Sequence, residues 1–206
     1  LNVTRRLNNK ICDYISSSFY DSRLTSDLIT KTRSVNLKLN PIKDEGIFYV
    51  PIDHSGCSQR SDEEADLVEK TFNKIINKDF KNGKSTGKIS AKDIMVVAPY
   101  NAQANNIRER LKKKYDDVRV GTIDLFQGQE AKVVLISMTT SDVDSLPRHK
   151  DFFFSRNRLN VAISRAECVA IIIFNEKLLL ASTNSIEEMK LMNNFCKLLK
   201  FKTNYN

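Results

Sequence analysis

The chain has 206 residues, of which 33 are Lys or Arg and 25 are Asp or Glu, so its formal net charge is +8. Hydrophobic residues make up 41% and charged residues 28%, a balance typical of a globular protein rather than a disordered one. No apolar run approaches the roughly 20 residues that span a bilayer, so we expect no membrane partner.

Short apolar runs rich in β-branched residues predict three strands, at 94–98, 133–136 and 169–174. Two weaker candidates are 47–50 and 118–123. Strands buried on both faces have this unbroken apolar pattern, which indicates a mostly parallel sheet.

Helical periodicity separates these strands. The segment 61–64 has capping-box spacing and precedes an apolar stripe, and a second stripe runs from Ala104 to Tyr115. Strands alternating with helices predict an α/β fold in one compact domain over residues 1–206, with helices on both faces of the sheet. We expect residues 21–45 to wrap the surface and residues 140–156 to form a long connection.

The four cysteines are scattered, and only two histidines accompany them. Zinc sites need clustered ligands and disulfide frameworks are usual in short secreted chains, so neither is favoured. We expect buried or half-buried thiols, no metal site in this chain and a reducing, cytoplasmic location. The cysteines are Cys12, Cys57, Cys168 and Cys196.

The segment Asn82–Ser85 superficially suggests a phosphate-binding loop. A Walker A loop needs glycine five residues before its second glycine, and Lys78 occupies that position. We therefore interpret this segment as a surface turn. The chain also lacks the Gly-x-Gly-x-x-Gly turn of dinucleotide-binding enzymes, which excludes that class.

Two other segments favour a functional site. Gly121–Glu130 carries Thr, Asp, Gln and Glu side chains directly before a predicted buried strand, and Arg156–Ala166 precedes the next. On a helix, Arg158 and Arg165 would share one face as a cationic row. Either segment alone is also consistent with a capped loop or a solvated basic helix, but polar clusters at two sheet edges favour a binding site.

Three segments in this order, 97–103, 121–130 and 158–166, resemble the second RecA-like domain of superfamily 1 helicases. The start of the chain, with Phe19 and Tyr20, is also similar to the start of that domain. The most similar subgroup contains the 5′-to-3′ helicases of RNA decay, splicing and replication. The resemblance implies a RecA-like fold of the P-loop NTPase type. It also implies that this chain, which begins at Leu1 rather than Met, is part of a longer protein.

The resemblance implies that ATP and Mg²⁺ bind between two RecA-like domains. An N-terminal partner domain would supply the Walker motifs and the magnesium ligands. In this chain Arg165 matches the family's arginine finger and Arg6 matches a second catalytic arginine. A planar, permanently charged guanidinium suits the stabilisation of phosphate charge better than lysine does.

Four further residues match ATP-binding positions of the family. Glu130 matches a residue that bonds or senses the nucleotide, and Gln127 and Gly128 shape its turn. Arg5 stands where the family usually has a tyrosine that stacks on adenine. A guanidinium plane can also stack, but this departure puts base selectivity in question.

Nucleic acid, DNA or RNA, single-stranded or duplex, is expected to cross the top of both domains. Thr122 matches a position that contacts the strand backbone, as do Pro99, Tyr100 and Asn101. Such contacts position a strand without reading its sequence. The leading interpretation is the motor half of an ATP-dependent helicase, inactive alone. The alternative is a non-catalytic nucleic-acid-binding or assembly module derived from one.

Overall fold

The computed structural model describes residues 2–39, 42–83, 85–141 and 156–180, with positions 186, 189, 193 and 196–198. The strands in the described residues are β1 (Val3–Thr4), β2 (Thr25–Ser26), β3 (Ser34–Val35), β4 (Gly46–Pro51), β5 (Asp79–Asn82), β6 (Ser85–Lys88), β7 (Ile94–Val97), β8 (Arg119–Gly121), β9 (Ala131–Ser137) and β10 (Ala166–Phe174). The helices are α1 (Asn9–Phe19), α2 (Asp62–Ile75), α3 (Asn101–Lys112) and α4 (Arg156–Ile163).

The main sheet has five strands in the order β4-β10-β9-β7-β8, and every neighbouring pair is parallel. Alternate side chains of β10 enter two separate cores. Ile172 packs in the core that contains residues of α1 and α4, whereas Ile171 packs in the core that contains residues of α2 and α3. Burial on both faces explains why β9 and β10 have continuous apolar sequences.

The predicted α/β class with a mostly parallel sheet is confirmed, and all five predicted strands belong to this sheet. The helix after Ser61 and the helix of the second stripe are α2 and α3. Most of the predicted connection at 140–156 lies outside the described residues. No helix in the described part of the chain combines the length and the apolar character needed to cross a membrane.

The segment 21–45 does more than wrap the surface, so that prediction is wrong in part. It contributes β2 and β3, and both Val35 and Leu37 are fully buried. Strand β3 pairs with β5 in a small antiparallel sheet, and β5 pairs with β6. Asn82 and Ser85 are paired residues at the turn of this hairpin, as expected for a surface turn rather than a phosphate loop.

The start of α2 forms only half of the capping box that its sequence suggests. Ser61 Oγ accepts from the backbone N–H of Glu64 at 3.1 Å. The Glu64 side chain, however, turns inward, and the Ser61 N–H donates to Gln103 Oε1 at 2.9 Å instead. Gln103 Nε2 also donates to Ser61 O and Ser137 Oγ. This buried amide therefore joins the first turns of α2 and α3 to β9.

The four cysteines are free thiols, as expected. Cys12 and Cys168 are buried, and Cys57 and Cys196 are half-buried. Burial raises the pKa of the Cys168 thiol to about 12. This cysteine is therefore a neutral part of the core at physiological pH.

Candidate functional site

Two depressions lie at opposite edges of the main sheet. The first, the amino-edge cleft, lies where β9 and β10 begin and has a volume of about 730 Å³. Its lining includes the polar residues Arg5, Arg6, Glu130, Asn160 and Arg165.

Strand register places Glu130 and Arg165 side by side. Ala131 and Ala166 are paired neighbours on β9 and β10, and the Ala131 N–H donates to Arg165 O at 2.9 Å. Glu130 and Arg165 immediately precede these two alanines. Two polar residues that are 35 positions apart in sequence thus enter one cleft because two parallel strands start together.

Asn8 positions Arg6, which joins Glu130 and Arg165 in the cleft. This fully buried side chain caps α1 by accepting from Ile11 N at 3.0 Å, and it donates to Cys168 O on β10 at 2.6 Å. The start of the chain is therefore fixed to the beginning of β10. Arg6, two residues earlier, donates through Nε to Glu130 Oε2 at 2.8 Å.

Arg165 is a half-buried arginine of the cleft. Its Nη1 donates to Gln129 O at 3.2 Å, and its Nε is buried without a hydrogen-bond partner among the described residues. Burial lowers the pKa of Arg165, and the charge of Arg6 lowers it further, whereas Glu130 raises it. Among the described residues that line the cleft, Glu130 is the one carboxylate beside the guanidinium groups of Arg6 and Arg165, so the cleft is suited to an additional anion.

The remaining predicted ATP-binding residues lie at or near this cleft. Arg5 lines it, but its side chain is 87% exposed and pairs with Asp27 at 3.2 Å. Gln127 and Gly128 are exposed on the loop that leads to Glu130 and do not belong to the cleft lining. Gly128 has φ +78°, a conformation that favours glycine, so it shapes this turn through its backbone.

The second depression, the carboxyl-edge groove, lies where β7 and β8 end and has a volume of about 380 Å³. Ala98 N donates to Gly121 O at 3.1 Å and holds these strand ends together. The groove collects all four predicted nucleic-acid-binding residues, together with Arg158: Pro99, Tyr100, Asn101 and Thr122.

The four predicted residues differ in exposure. Asn101 is exposed and Pro99 and Thr122 are half-buried, whereas Tyr100 is only 9% exposed. Burial raises the pKa of Tyr100 to about 12. Because its side chain is buried, the Tyr100 ring forms part of the wall of the groove rather than a surface on which a base could stack.

Two segments connect the groove with the cleft. One runs from Thr122 at the groove to Glu130 at the cleft, and the other runs along α4 from Arg158 to Arg165. The idea of one cationic row on α4 is wrong because the helix ends at Ile163. The two arginines face different sites, since Arg158 lines the groove and Arg165 lines the cleft.

Several residues of these sites were not predicted from the sequence. Tyr20 and Asn160 line the cleft. Arg119 braces it by donating to Glu130 O at 3.0 Å and to Gln129 Oε1 at 2.9 Å. Arg119 interrupts an otherwise apolar strand, and that interruption was the available sequence signal.

A fully parallel main sheet with helices on both faces and an arginine-lined cleft at its edge defines an α/β domain of the P-loop NTPase type. A family model described as "AAA domain" matches residues 1–177. The chain belongs to this family, and it is a RecA-like domain of the superfamily 1 helicases.

Curated relatives are similar over most of the chain. DNA polymerase alpha-associated DNA helicase A of Schizosaccharomyces pombe is 32% identical over 177 residues, which is 80% of this chain and 26% of that protein. Its namesake from Saccharomyces cerevisiae is 27% identical over 193 residues, covering 87% and 28%. The chain thus spans about a quarter of the length of these relatives.

Solved structures are more distant. The C-terminal domain of a possible DNA helicase from Lactobacillus plantarum has a TM-score of 0.43 at 11% identity, covering 91% of this chain and 94% of that one. An arterivirus nonstructural protein 10 helicase with DNA has a TM-score of 0.37 at 17% identity, covering 84% and 25%.

The groove gives a prediction for Arg158. Replacing this exposed arginine with glutamine should weaken binding of the full-length protein to single-stranded oligonucleotides by a similar factor for every sequence. It should also reduce the slope of log affinity against log salt by about 1, the effect expected when one phosphate contact is removed. Fluorescence anisotropy across a salt series measures both. An unchanged slope would remove Arg158 from the phosphate contacts.

Proposed function

We propose that this chain, residues 1–206, is the second motor domain of an ATP-dependent helicase or translocase that acts on DNA or RNA. ATP would bind in the amino-edge cleft, opposite an N-terminal RecA-like domain that carries the phosphate loop and the magnesium ligands. The proposal depends chiefly on one observation, the convergence of Arg6, Glu130 and Arg165 in a single cleft.

The residues of the cleft are chemically suited to a nucleoside triphosphate. A buried Nε donor on Arg165 without a partner among the described residues would be satisfied by a phosphate oxygen. Arg6 holds Glu130 at 2.8 Å and could exchange this partner for a phosphate. In this role Arg165 stabilises charge on the transferred phosphoryl group, and Arg6 positions it.

Nucleic acid would bind in the carboxyl-edge groove. Amide and hydroxyl groups there are suited to contacts with the sugar-phosphate backbone, and the guanidinium of Arg158 adds a charge. The relatives that carry the name DNA helicase support this class of partner. The two segments that begin at Thr122 and Arg158 both end in the cleft. Binding of nucleic acid and binding of the nucleotide would therefore move the same two segments.

The test is an ATPase assay of the full-length protein with single-stranded DNA, with RNA and with neither. We expect one of the two nucleic acids to stimulate hydrolysis, and we expect no hydrolysis by the 206-residue chain alone. Robust turnover by the isolated chain would contradict the proposal. Nucleic-acid binding without any hydrolysis by the full-length protein would instead support the non-catalytic module.

A further inference from the structure

A group of potential metal ligands lies outside both depressions, where the loop after β4 enters α2. It contains His54, Cys57 and Glu63, and one ligand atom from each lies within 4.8 Å of the other two. Nitrogen, sulfur and oxygen donors in such a group match the preferences of zinc. Calcium and magnesium prefer oxygen donors alone.

The histidine has the hydrogen-bonding pattern that metal-binding histidines usually have. Its side chain is fully buried, and Nε2 lies 3.1 Å from Glu64 Oε1. Histidines that bind metals almost always hydrogen-bond a carboxylate or carbonyl through the second ring nitrogen. That second nitrogen is occupied here, and Nδ1 has no hydrogen-bond partner among the residues that the structure describes.

The carboxylate behind the histidine is itself fixed. Glu64 Oε2 accepts from Ser137 Oγ at 2.6 Å and from the Thr139 N–H at 2.8 Å. The imidazole therefore cannot turn without breaking a buried network. Its free nitrogen is held in one place before any ligand arrives, which is what a binding site requires.

The backbone of Cys57 is fixed to the segment after β9. Its N–H donates to Ser141 Oγ at 3.1 Å, and its carbonyl accepts from Ser141 N at 2.8 Å and from Thr140 Oγ1 at 3.0 Å. Both side chains are accessible, since Cys57 is half-buried and Glu63 is exposed, and Glu63 Oε2, which accepts from Ser61 Oγ at 3.0 Å, would give up this hydrogen bond to bind a cation. Cys57 Sγ lies 3.9 Å from Glu63 Oε2.

We propose that His54, Cys57 and Glu63 bind one zinc-class divalent cation, with water in the fourth position. Ligands of a tetrahedral zinc stand about 3.5 Å apart, so the two accessible side chains need to move by about 1 Å. Cys57 binds as the thiolate and releases its proton to solvent. The cation joins the loop to the first turn of α2. Its ligand Cys57 lies two residues before Gln59, which lines the groove.

Titration of the 206-residue chain with Co²⁺ tests this site, because a thiolate ligand gives a near-ultraviolet charge-transfer band. We expect one equivalent to bind, the band to appear and Zn²⁺ to displace it. Cys57→Ser should abolish the band. Mutation of only the hydrogen-bond partner of a metal ligand lowers metal affinity about 10- to 100-fold. Cys57→Ser and Glu63→Gln each change a ligand itself, so each should lower the Co²⁺ affinity at least tenfold.

Cys196→Ser is the matched control, because Cys196 is also a half-buried free thiol but lies elsewhere in the chain. It should keep the band and the parental affinity. Circular dichroism of each variant without metal checks that the fold is intact. Three results would each overturn the site: no stoichiometric binding by the parent, an unchanged band in folded Cys57→Ser, or loss of the band in folded Cys196→Ser.

Discussion

Replacing Arg165 with alanine is expected to lower the kcat of ATP hydrolysis by the full-length protein roughly 10³- to 10⁵-fold, the range of an arginine finger. The guanidinium lies in the amino-edge cleft with its Nε buried and with a single nearby carboxylate, Glu130, shared with Arg6. It is thus poised to interact with an anion that this domain does not supply. Steady-state hydrolysis at saturating nucleic acid measures the loss.

Two controls separate a role in catalysis from damage to the fold. Arg165→Lys keeps the charge without the planar fork and should recover only part of the activity. Lys88→Ala removes an equal charge from an exposed ion pair with Asp79 in the separate sheet of β3, β5 and β6, outside the lining of the cleft, and should leave kcat unchanged. Near-parental turnover in a folded Arg165→Ala protein would exclude the finger role.

The fold gives a physical reason for coupling between the two proposed sites. The loop 122–130 and the helix α4 each begin at the carboxyl-edge groove and end at the amino-edge cleft. Both segments contact each other through α4 and the short 3-10 helix Ile123–Phe126. Closure of the cleft on a nucleotide would therefore displace groups in the groove by rigid movement of packed elements.

The main sheet was predictable because its strands are buried on both faces. The apolar runs that become β7, β9 and β10 are typical of parallel strands covered on both faces. The small sheet of β3, β5 and β6 was missed because its strands are short, largely exposed and rich in polar residues. Helix α1 was also missed, although its buried residues Ile11 and Ile15 have helical spacing.

The candidate site was predictable in its residues but not in its geometry. Resemblance to a family pointed to Arg6, Glu130 and Arg165, but only the register of β9 against β10 places them together. Long-range pairing of this kind is not encoded in local periodicity. The same limit applies to Glu64, whose spacing from Ser61 suggests a helix cap while its carboxylate serves a buried network.

Loss of the Glu64 side chain is expected to destabilise the fold strongly. Glu64→Ala removes the partner of His54 Nε2, Ser137 Oγ and the Thr139 N–H in a region with no exposure. Removing one member of a buried, hydrogen-bonded pair typically costs about 3–5 kcal/mol, and we expect a decrease of that size in the free energy of unfolding. Urea denaturation at neutral pH, with EDTA present to exclude any bound cation, measures it.

Glu69→Ala on the same helix is the matched control. Glu69 pairs with Lys114 at 2.8 Å in a solvent-accessible location, so its loss should cost at most about 1 kcal/mol. Glu64→Gln keeps an acceptor for the Thr139 N–H and should fall between the two alanine variants. If Glu64→Ala were no more destabilising than Glu69→Ala, the inward network would not be what holds the end of β9 to α2. The donors of this network, Ser137 Oγ and the Thr139 N–H, would then be satisfied by water that enters in place of the carboxylate.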